Sequence, residues 1–222
     1  MAAYEIAEAG FVLCAPEVRS DHLVRTIARA MTAALGLFPL QQRTIPKTLF
    51  ALFDSIEEFA LSSEALGCSA FSPRTAGFWI PGIPPRILAA LTRSHGAGTV
   101  AHELTHALLS SFRLPRWIDE GLATTAQSTL GRVHVMDRYR LARILSDKEA
   151  RRRWLSGELF VDDDSEKTHA AYTHAHRIVS TLLRLYPAAF STEALEKCRR
   201  IDAGARWLRK QFGLPLDALF LD

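Results

Sequence analysis

Two histidines separated by three residues are the most informative feature of the sequence. His102, Glu103 and His106 lie among small and apolar residues at helical spacing, which predicts a largely buried helix. Histidines four positions apart project from the same side of a helix, so both rings can reach one divalent ion. Glu120 offers a third ligand. Two imidazoles and one carboxylate leave a fourth position for water, which is typical of a catalytic zinc site.

The residue types also predict a reaction. Zinc lowers the pKa of a bound water toward neutrality, and a nearby carboxylate can accept the proton and pass it to the leaving amine. Glu103 is the candidate general base. The oxyanion that forms during peptide hydrolysis needs a hydrogen-bond donor from elsewhere in the chain, and Tyr172 is the first candidate. The hypothesis is a zinc-dependent peptidase acting on a peptide or protein substrate. The alternative for the motif alone is a helix whose histidines only pack or form hydrogen bonds.

The segment that contains Glu120 carries a family resemblance. Residues 117–123 read Trp-Ile-Asp-Glu-Gly-Leu-Ala and resemble the Trp-x-x-Glu-Gly-Leu-Ala signature of the gluzincins. These are zinc metallopeptidases of the thermolysin-like MA clan, and the compact peptidase MA-like families are the most similar. The resemblance implies that Glu120 is the third zinc ligand and that the fold is zincin-like. The thirteen residues between His106 and Glu120 match the short spacing of the compact members.

Weaker similarities extend along the chain. Residues 48–59 resemble the strand and the Ser-x-Glu-Glu-Phe helix start that precede the active-site helix in such domains, and residues 207–219 resemble their closing helix and Phe-Gly turn. Residues 171–179 are similar to a helix whose tyrosine faces the metal and steadies the oxyanion, which implies this role for Tyr172. His176 lies one turn later on the same predicted helix face. It is a further candidate donor to the oxyanion or to a substrate carbonyl, with packing or solvent exposure as the alternative.

The chain also departs from the family pattern. Thermolysin has an aspartate one turn past the glutamate ligand, where it supports a histidine, but this sequence has Thr124 there. Thr124, Thr125 or Asp119 are the candidates for a supporting hydrogen bond. A Gly-x-Met-Glu-Asn type strand, which binds the substrate amino terminus in large aminopeptidases, is missing from the sequence, so aminopeptidase specificity is not implied.

Hydrophobic periodicity predicts an α+β fold with a small mixed sheet. We expect strands at residues 10–15 and 48–53, each followed by a helix, and a short strand at residues 77–80. This last strand is an edge strand that can pair with an extended peptide, or its aromatic residues Phe78 and Trp79 close the core. From Pro85 onward the pattern predicts an almost wholly helical chain. The expected organisation is one domain, with an α/β subdomain over residues 1–95 and a helical subdomain over residues 96–222 that holds the metal site.

Composition sets limits on other functions. A chain of 222 residues with 48% hydrophobic residues can bury a core without disulfides, and its three scattered cysteines favour free thiols in a reducing compartment. The net charge is +3, and the arginine run at residues 151–153 is close to the acidic run at residues 162–164, so we expect no nucleic-acid partner. We find neither a membrane span nor a signal peptide and therefore expect a cytoplasmic protein with no membrane partner. The oligomeric state stays open.

Two alternatives concern activity. The first is a catalytically silent zincin-like domain that binds metal and a protein partner; Glu103 argues against it, because a structural site has no use for a base. The second is a latent enzyme, in which an aspartate of the loop at residues 161–167 displaces the water from the metal, although a solvated loop is the simpler interpretation.

Overall fold

The computed structural model describes residues 2–6, 10–14, 20–37, 48–53, 55–65, 76–82, 85–91, 96–131 and 133–220. The strands are β1 (Ala2–Ile6), β2 (Gly10–Cys14), β3 (Thr48–Phe53), β4 (Gly77–Ile80) and β5 (Arg86–Ala90). The α-helices are α1 (Ser20–Gly36), α2 (Ile56–Ala65), α3 (Gly96–Leu109), α4 (Arg116–Ser128), α5 (Arg138–Leu145), α6 (Lys148–Ser156), α7 (Ser165–Leu185), α8 (Thr192–Glu196) and α9 (Ala205–Phe212). Short 3-10 helices span Glu158–Val161, Pro187–Phe190, Arg200–Asp202 and Leu216–Phe220.

The strands form one mixed sheet in the order β1-β2-β3-β5-β4. Strands β2, β3 and β5 run parallel, whereas β1 and β4 are antiparallel to their neighbours. The predicted α+β class with a small mixed sheet is therefore confirmed. Strand β4 also lies at an edge of the described sheet, as predicted.

The expectation of an almost wholly helical chain after Pro85 is wrong at β5. This strand pairs with β3 on one side and β4 on the other, and Ile87, Leu88, Ala89 and Ala90 are all buried. A strand buried on both faces is a continuous apolar run without alternation, so its pattern does not distinguish it from the start of a helix.

Helix α2 packs on one face of the sheet. Phe59 of α2 is in contact with Phe78 of β4, with ring centroids 5.4 Å apart, and both belong to a cluster with Leu88 and Ala90. Phe78 thus packs in the core, which was the second of the two alternatives for this strand. Ser55 caps α2, because its Oγ accepts a hydrogen bond from the Glu58 backbone N–H at 3.1 Å. Asp54, the other predicted cap, lies outside the described residues.

Helix α3 packs against β4 and β5, and α1 packs along α3. At Gly77 the approach of α3 to β4 is especially close. A Cβ atom at this position would lie 2.5 Å from Thr99 Cγ2 and 3.2 Å from Glu103 Cγ. Because Cβ atoms do not tolerate such distances, only glycine lets β4 lie this close to the helix that carries Glu103.

The described residues fall into two compact units. The first comprises those within Met1–Gly36, Gln42–Ser110 and Ala126–Gly131, and the second those within Leu37–Gln41, Ser111–Thr125 and Arg132–Asp222. Helix α3 thus belongs with the sheet, which differs from the predicted subdomain boundary after residue 95. Whether the chain forms the single domain predicted from sequence stays a prediction.

The second unit has an aromatic core. Trp117 of α4 is fully buried, stacks on Trp154 of α6 at 5.6 Å and lies 6.5 Å from Trp207 of α9, measured between ring centroids. The indole N–H of Trp117 donates to the Ala203 carbonyl at 3.0 Å, and that of Trp154 donates to the Ala171 carbonyl at 3.1 Å. These contacts fix the start of α4 within the unit.

The composition predicted free cysteine thiols and no membrane span. Cys198 is a buried free thiol whose pKa is raised by burial, as expected of a cysteine without a disulfide. Cys68 and the side chain of Cys14 lie outside what the structure describes. No helix in the described ranges combines the length and the apolar character that crossing a membrane requires.

Gly77 provides a test of the contact between β4 and α3. We expect Gly77→Ala to lower the free energy of unfolding by about 1–3 kcal/mol, because the new methyl group overpacks the contact with Thr99 and Glu103. Adding Thr99→Ser removes Cγ2, the nearest atom, and should recover part of the loss. Urea unfolding measures both variants. Gly36→Ala is the matched control, since a Cβ there meets nothing within 4 Å. Equal stabilities of Gly77→Ala and the wild type would contradict the packing described.

Candidate metal centre

Helix α3 brings the two histidines of the motif together. His102 Nε2 and His106 Nε2 are 3.1 Å apart, and the rings meet edge to face with centroids 4.8 Å apart. The opposite side of the helix is buried through residues such as Val100, Leu104 and Leu108, so the helix cannot rotate without exposing its apolar face. The predicted convergence of both imidazoles on one point is therefore present.

The spacing of the two nitrogen atoms fits a shared metal ion. Two imidazole nitrogens bound to one tetrahedral zinc ion, each at the usual bond length, are about 3.3 Å apart. The observed separation of 3.1 Å is close to this value. Small side-chain adjustments are enough to place both atoms in coordinating positions.

Glu103 follows His102 directly and is 7% exposed. Its Cγ atom faces the backbone of Gly77 in β4, which has no side chain at this point. The carboxylate is therefore buried on α3 beside His102, where the sequence predicts a general base. The role of Glu103 stays a prediction.

Helix α4 carries Glu120, which is 1% exposed. The next residue, Gly121, is a point of close contact between α4 and α7. A Cβ at Gly121 would lie 2.4 Å from Val179 Cγ2 and 2.8 Å from the Ala175 carbonyl oxygen. The glycine of the Trp-x-x-Glu-Gly-Leu-Ala segment therefore lets the helix that bears Glu120 pack directly on α7.

The three predicted ligands form one group in the described part of the chain. Each of His102, His106 and Glu120 offers one ligand atom, and these atoms all lie within 4.8 Å of one another. Such a group can hold a metal ion. The donor set of two imidazoles and one carboxylate is one that zinc favours, although the geometry alone does not single out this metal.

Arg116 lies beside Glu120 and was missed by the sequence analysis. Its Nη2 atom forms an ion pair with Glu120 Oε1 at 2.7 Å, and its guanidinium also forms a hydrogen bond with the Tyr172 side chain. Burial lowers the pKa of Arg116, but the charge of Glu120 and the contact with Tyr172 outweigh this effect and raise it. The signal was available, since Arg116 precedes Glu120 by four residues on a predicted helix.

Tyr172 lies on α7, as predicted. Its ring packs edge to face against Phe160 with centroids 5.3 Å apart. Arginine has donors only, so in the bond with Arg116 the phenol oxygen is the acceptor. That bond does not use the phenolic hydrogen. The catalytic role of Tyr172 stays a prediction.

His176 is joined to α4 through Thr125. The Thr125 hydroxyl donates to the Gly121 carbonyl at 2.7 Å and lies 3.2 Å from His176 Nδ1. Which of these two atoms donates depends on the tautomer of His176. Burial, followed by the charge of Arg177, lowers the pKa of His176 and favours the neutral ring. The catalytic role of His176 stays a prediction.

The other predicted supporting residues differ in their contacts. Thr124 is 3% exposed, and its hydroxyl makes no hydrogen bond among the described residues. The charge of Asp119 contributes to the raised pKa of Arg116. Thr125 contacts Gly121 and His176, as given above. Arg116 supports Glu120 directly through the ion pair.

The aspartates of the loop at residues 161–167 have local partners. Asp162 pairs with Arg153 at 2.7 Å and accepts from the Asp164 backbone N–H at 2.8 Å. Asp164 caps α7 by accepting from the backbone N–H groups of Glu166 and Lys167. Two of the three aspartates that the latent-enzyme hypothesis invoked are therefore engaged within the loop and its adjoining helices.

Comparisons with known proteins find neither a family model that matches the chain nor a curated relative. The resemblance to gluzincins therefore depends on the motif residues themselves.

Gly121 tests how the helix bearing Glu120 is held. We expect Gly121→Ala to lower the free energy of unfolding by about 1–3 kcal/mol or more, because the added methyl group meets Val179 and the Ala175 carbonyl. Gly131→Ala is the matched control, since a Cβ at Gly131 meets nothing within 4 Å. Chemical denaturation of both variants makes the comparison. If Gly121→Ala were as stable as the control, the close contact of α4 with α7 would be refuted.

Proposed function

We propose that the protein is a zinc-dependent peptidase, with His102, His106 and Glu120 as metal ligands and Glu103 as general base. The observation that carries this proposal is the group of three ligand atoms, which lie within 4.8 Å of one another. Two of them belong to helix α3, which also presents the buried Glu103 next to His102. A site that only holds metal for structure does not need this glutamate. The substrates are peptides or proteins.

Glu103 moves the proton in the proposed reaction. A zinc ion, when bound, acts as a Lewis acid on the scissile carbonyl and makes water nucleophilic near neutral pH. Glu103 accepts a proton from the attacking water and then donates it to the nitrogen of the leaving amine. Its side chain is buried and lies next to the backbone of Gly77.

Tyr172 stabilises the negative charge on the former carbonyl oxygen. Its phenolic hydrogen is not used in the bond with Arg116, and a cation that donates to the phenol oxygen makes the O–H a stronger donor. The interaction strengthens as charge develops in the transition state, so it lowers the barrier more than it favours substrate binding. His176, on the same helix, is a further candidate donor to the oxyanion or to a substrate carbonyl.

We also propose that the fold is zincin-like and that the chain is a gluzincin. The support is the α+β arrangement, the pair of signatures around His102 and Glu120, and the position of β4. This strand lies at a sheet edge and contacts the helix that carries Glu103 through Gly77. An edge strand offers main-chain hydrogen bonds to an extended peptide, which fits a peptide substrate.

Replacement of Glu103 by Gln tests the proposal. Gln keeps the size of the side chain but cannot accept a proton, so we expect zinc binding to persist and peptide cleavage to fall by at least about 100-fold. The assay is digestion of a diverse peptide library, read by mass spectrometry, with zinc content measured on the same samples. Treatment with a chelator should abolish cleavage, and zinc should restore it.

Glu64→Gln is the matched control, since Glu64 is an exposed residue of α2. It should bind zinc and cleave peptides like the wild type. Cleavage by Glu103→Gln at the wild-type rate would refute the assigned role of Glu103. Bound zinc with no cleavage of any peptide by the wild type would instead favour the silent domain that binds metal and a protein partner.

A further inference from the structure

Arg116 contacts two residues of the proposed site at once. Its Nη2 atom binds one oxygen of Glu120, Oε1, at 2.7 Å, and the same guanidinium donates to the Tyr172 side chain. Glu120 is on α4 and Tyr172 is on α7, so Arg116 links a predicted ligand with a predicted oxyanion donor. A planar guanidinium with five N–H donors can hold two such acceptors in a fixed relation, which a lysine ammonium does less well.

The stem of Arg116 is held by Gly157. This glycine ends α6 with a φ of 90°, and its N–H donates to the Trp154 carbonyl. A Cβ at Gly157 would lie 2.9 Å from Arg116 Cβ and 3.3 Å from Arg116 Cγ. The backbone of Gly157 thus packs directly against the side chain of Arg116, and any larger residue would displace it.

The contact with Arg116 fixes the orientation of the Glu120 carboxylate. The Glu120 side chain is 1% exposed and that of Arg116 is 39% exposed, so water reaches the ion pair only from the side of the arginine. With Oε1 bound to Arg116, rotation of the carboxylate is restricted. Carboxylates that bind metals commonly have such a partner, and loss of the partner weakens metal binding.

We infer that Arg116 is a positioning residue that fixes Glu120 for metal binding and Tyr172 for oxyanion binding as one unit, with Gly157 as the residue that makes room for it. This inference rests on the proposed role of Glu120 as a ligand. It assigns Arg116 no contact with substrate.

A purely structural role for Arg116 makes different predictions. If Arg116 only compensated the charge of Glu120, its loss would lower thermal stability but leave the metal geometry of the folded protein unchanged. If it positions Glu120, zinc affinity and the visible absorption spectrum of the cobalt-substituted protein both change, because that spectrum reports the arrangement of ligands around the ion.

The experiment compares Arg116→Met, Arg116→Lys and the wild type. We measure zinc affinity by competition with a chromophoric chelator, the cobalt spectrum, and kcat and KM for a peptide cleaved by the wild type. For Arg116→Met we expect zinc affinity to fall by about 10- to 100-fold, with an altered cobalt spectrum. Arg116→Lys retains the charge but not the planar guanidinium, so it should recover part of the zinc affinity. Its kcat should stay low, because a lysine ammonium does not hold Glu120 and Tyr172 in the same fixed relation.

A glycine pair provides a second arm that leaves Arg116 in the chain. Gly157 and Gly213 both end helices with positive φ, 90° and 69°, but a Cβ at Gly213 meets nothing within 4 Å. Alanine at either position carries the same kind of backbone strain. Only Gly157→Ala displaces Arg116, so we expect weaker zinc binding and an altered cobalt spectrum for Gly157→Ala and not for Gly213→Ala. The comparison of Gly157→Ala with Gly213→Ala still tests the positioning role if Arg116→Met does not fold.

The outcomes separate this inference from the proposed function. If folded Arg116→Met and Gly157→Ala bind zinc like the wild type and have its cobalt spectrum, the positioning role is refuted and the proposed ligand set stands. If the wild type itself binds no zinc, the proposed function and this inference are both refuted. Weaker zinc binding in Arg116→Met and Gly157→Ala, with Gly213→Ala unchanged, supports the inference.

Discussion

The buried carboxylate of Glu120 constrains the residues around it in the second unit. A carboxylate with 1% exposure has lost most of its hydration, and only nearby positive charge or several hydrogen bonds keep it ionised. Arg116 supplies one positive charge at 2.7 Å. A divalent ion, if held by the group of His102, His106 and Glu120, would supply further charge. Burial of this side chain therefore costs stability, and the same side chain is a candidate metal ligand.

Three glycines allow the close approaches that place the functional side chains. Gly77 lets β4 lie against Glu103, Gly121 lets α4 lie against α7, and Gly157 lets the end of α6 lie against Arg116. Each approach is so close that a methyl group would overlap with a neighbour. The geometry of the candidate site therefore depends on backbone packing as well as on the side chains that form it.

Much of the site could be predicted because helical periodicity is local. The spacing of His102 and His106 determines that their rings meet, and the segment around Glu120 indicates a third candidate ligand. The strands at residues 48–53 and 77–80 are short and clearly bounded, and the structure confirms both. Zinc binding and peptidase activity stay predictions at this level, because motifs give the ligands and the base but not a measured reaction.

The misses have physical reasons. Strand β5 is apolar on both faces, so it has no alternation that would distinguish it from a helix. The contact of Arg116 with Tyr172 joins residues 56 positions apart and depends on how α4 and α7 pack, which no local pattern encodes. The contact of His176 with the hydroxyl of Thr125 depends in the same way on this packing. Only the four-residue spacing of Arg116 and Glu120 was visible in the sequence.

The zinc K-edge X-ray absorption spectrum of the full chain, loaded with one equivalent of zinc, is the most direct test of the proposed ligands. We expect one ordered ion with two imidazole nitrogens and oxygen ligands at about 2.0–2.2 Å. The nitrogen signal should shrink when His102 or His106 is replaced by Ala, while His134→Ala should leave the spectrum unchanged. Sulfur ligands at about 2.3 Å, or a spectrum without imidazole scattering, would contradict the account.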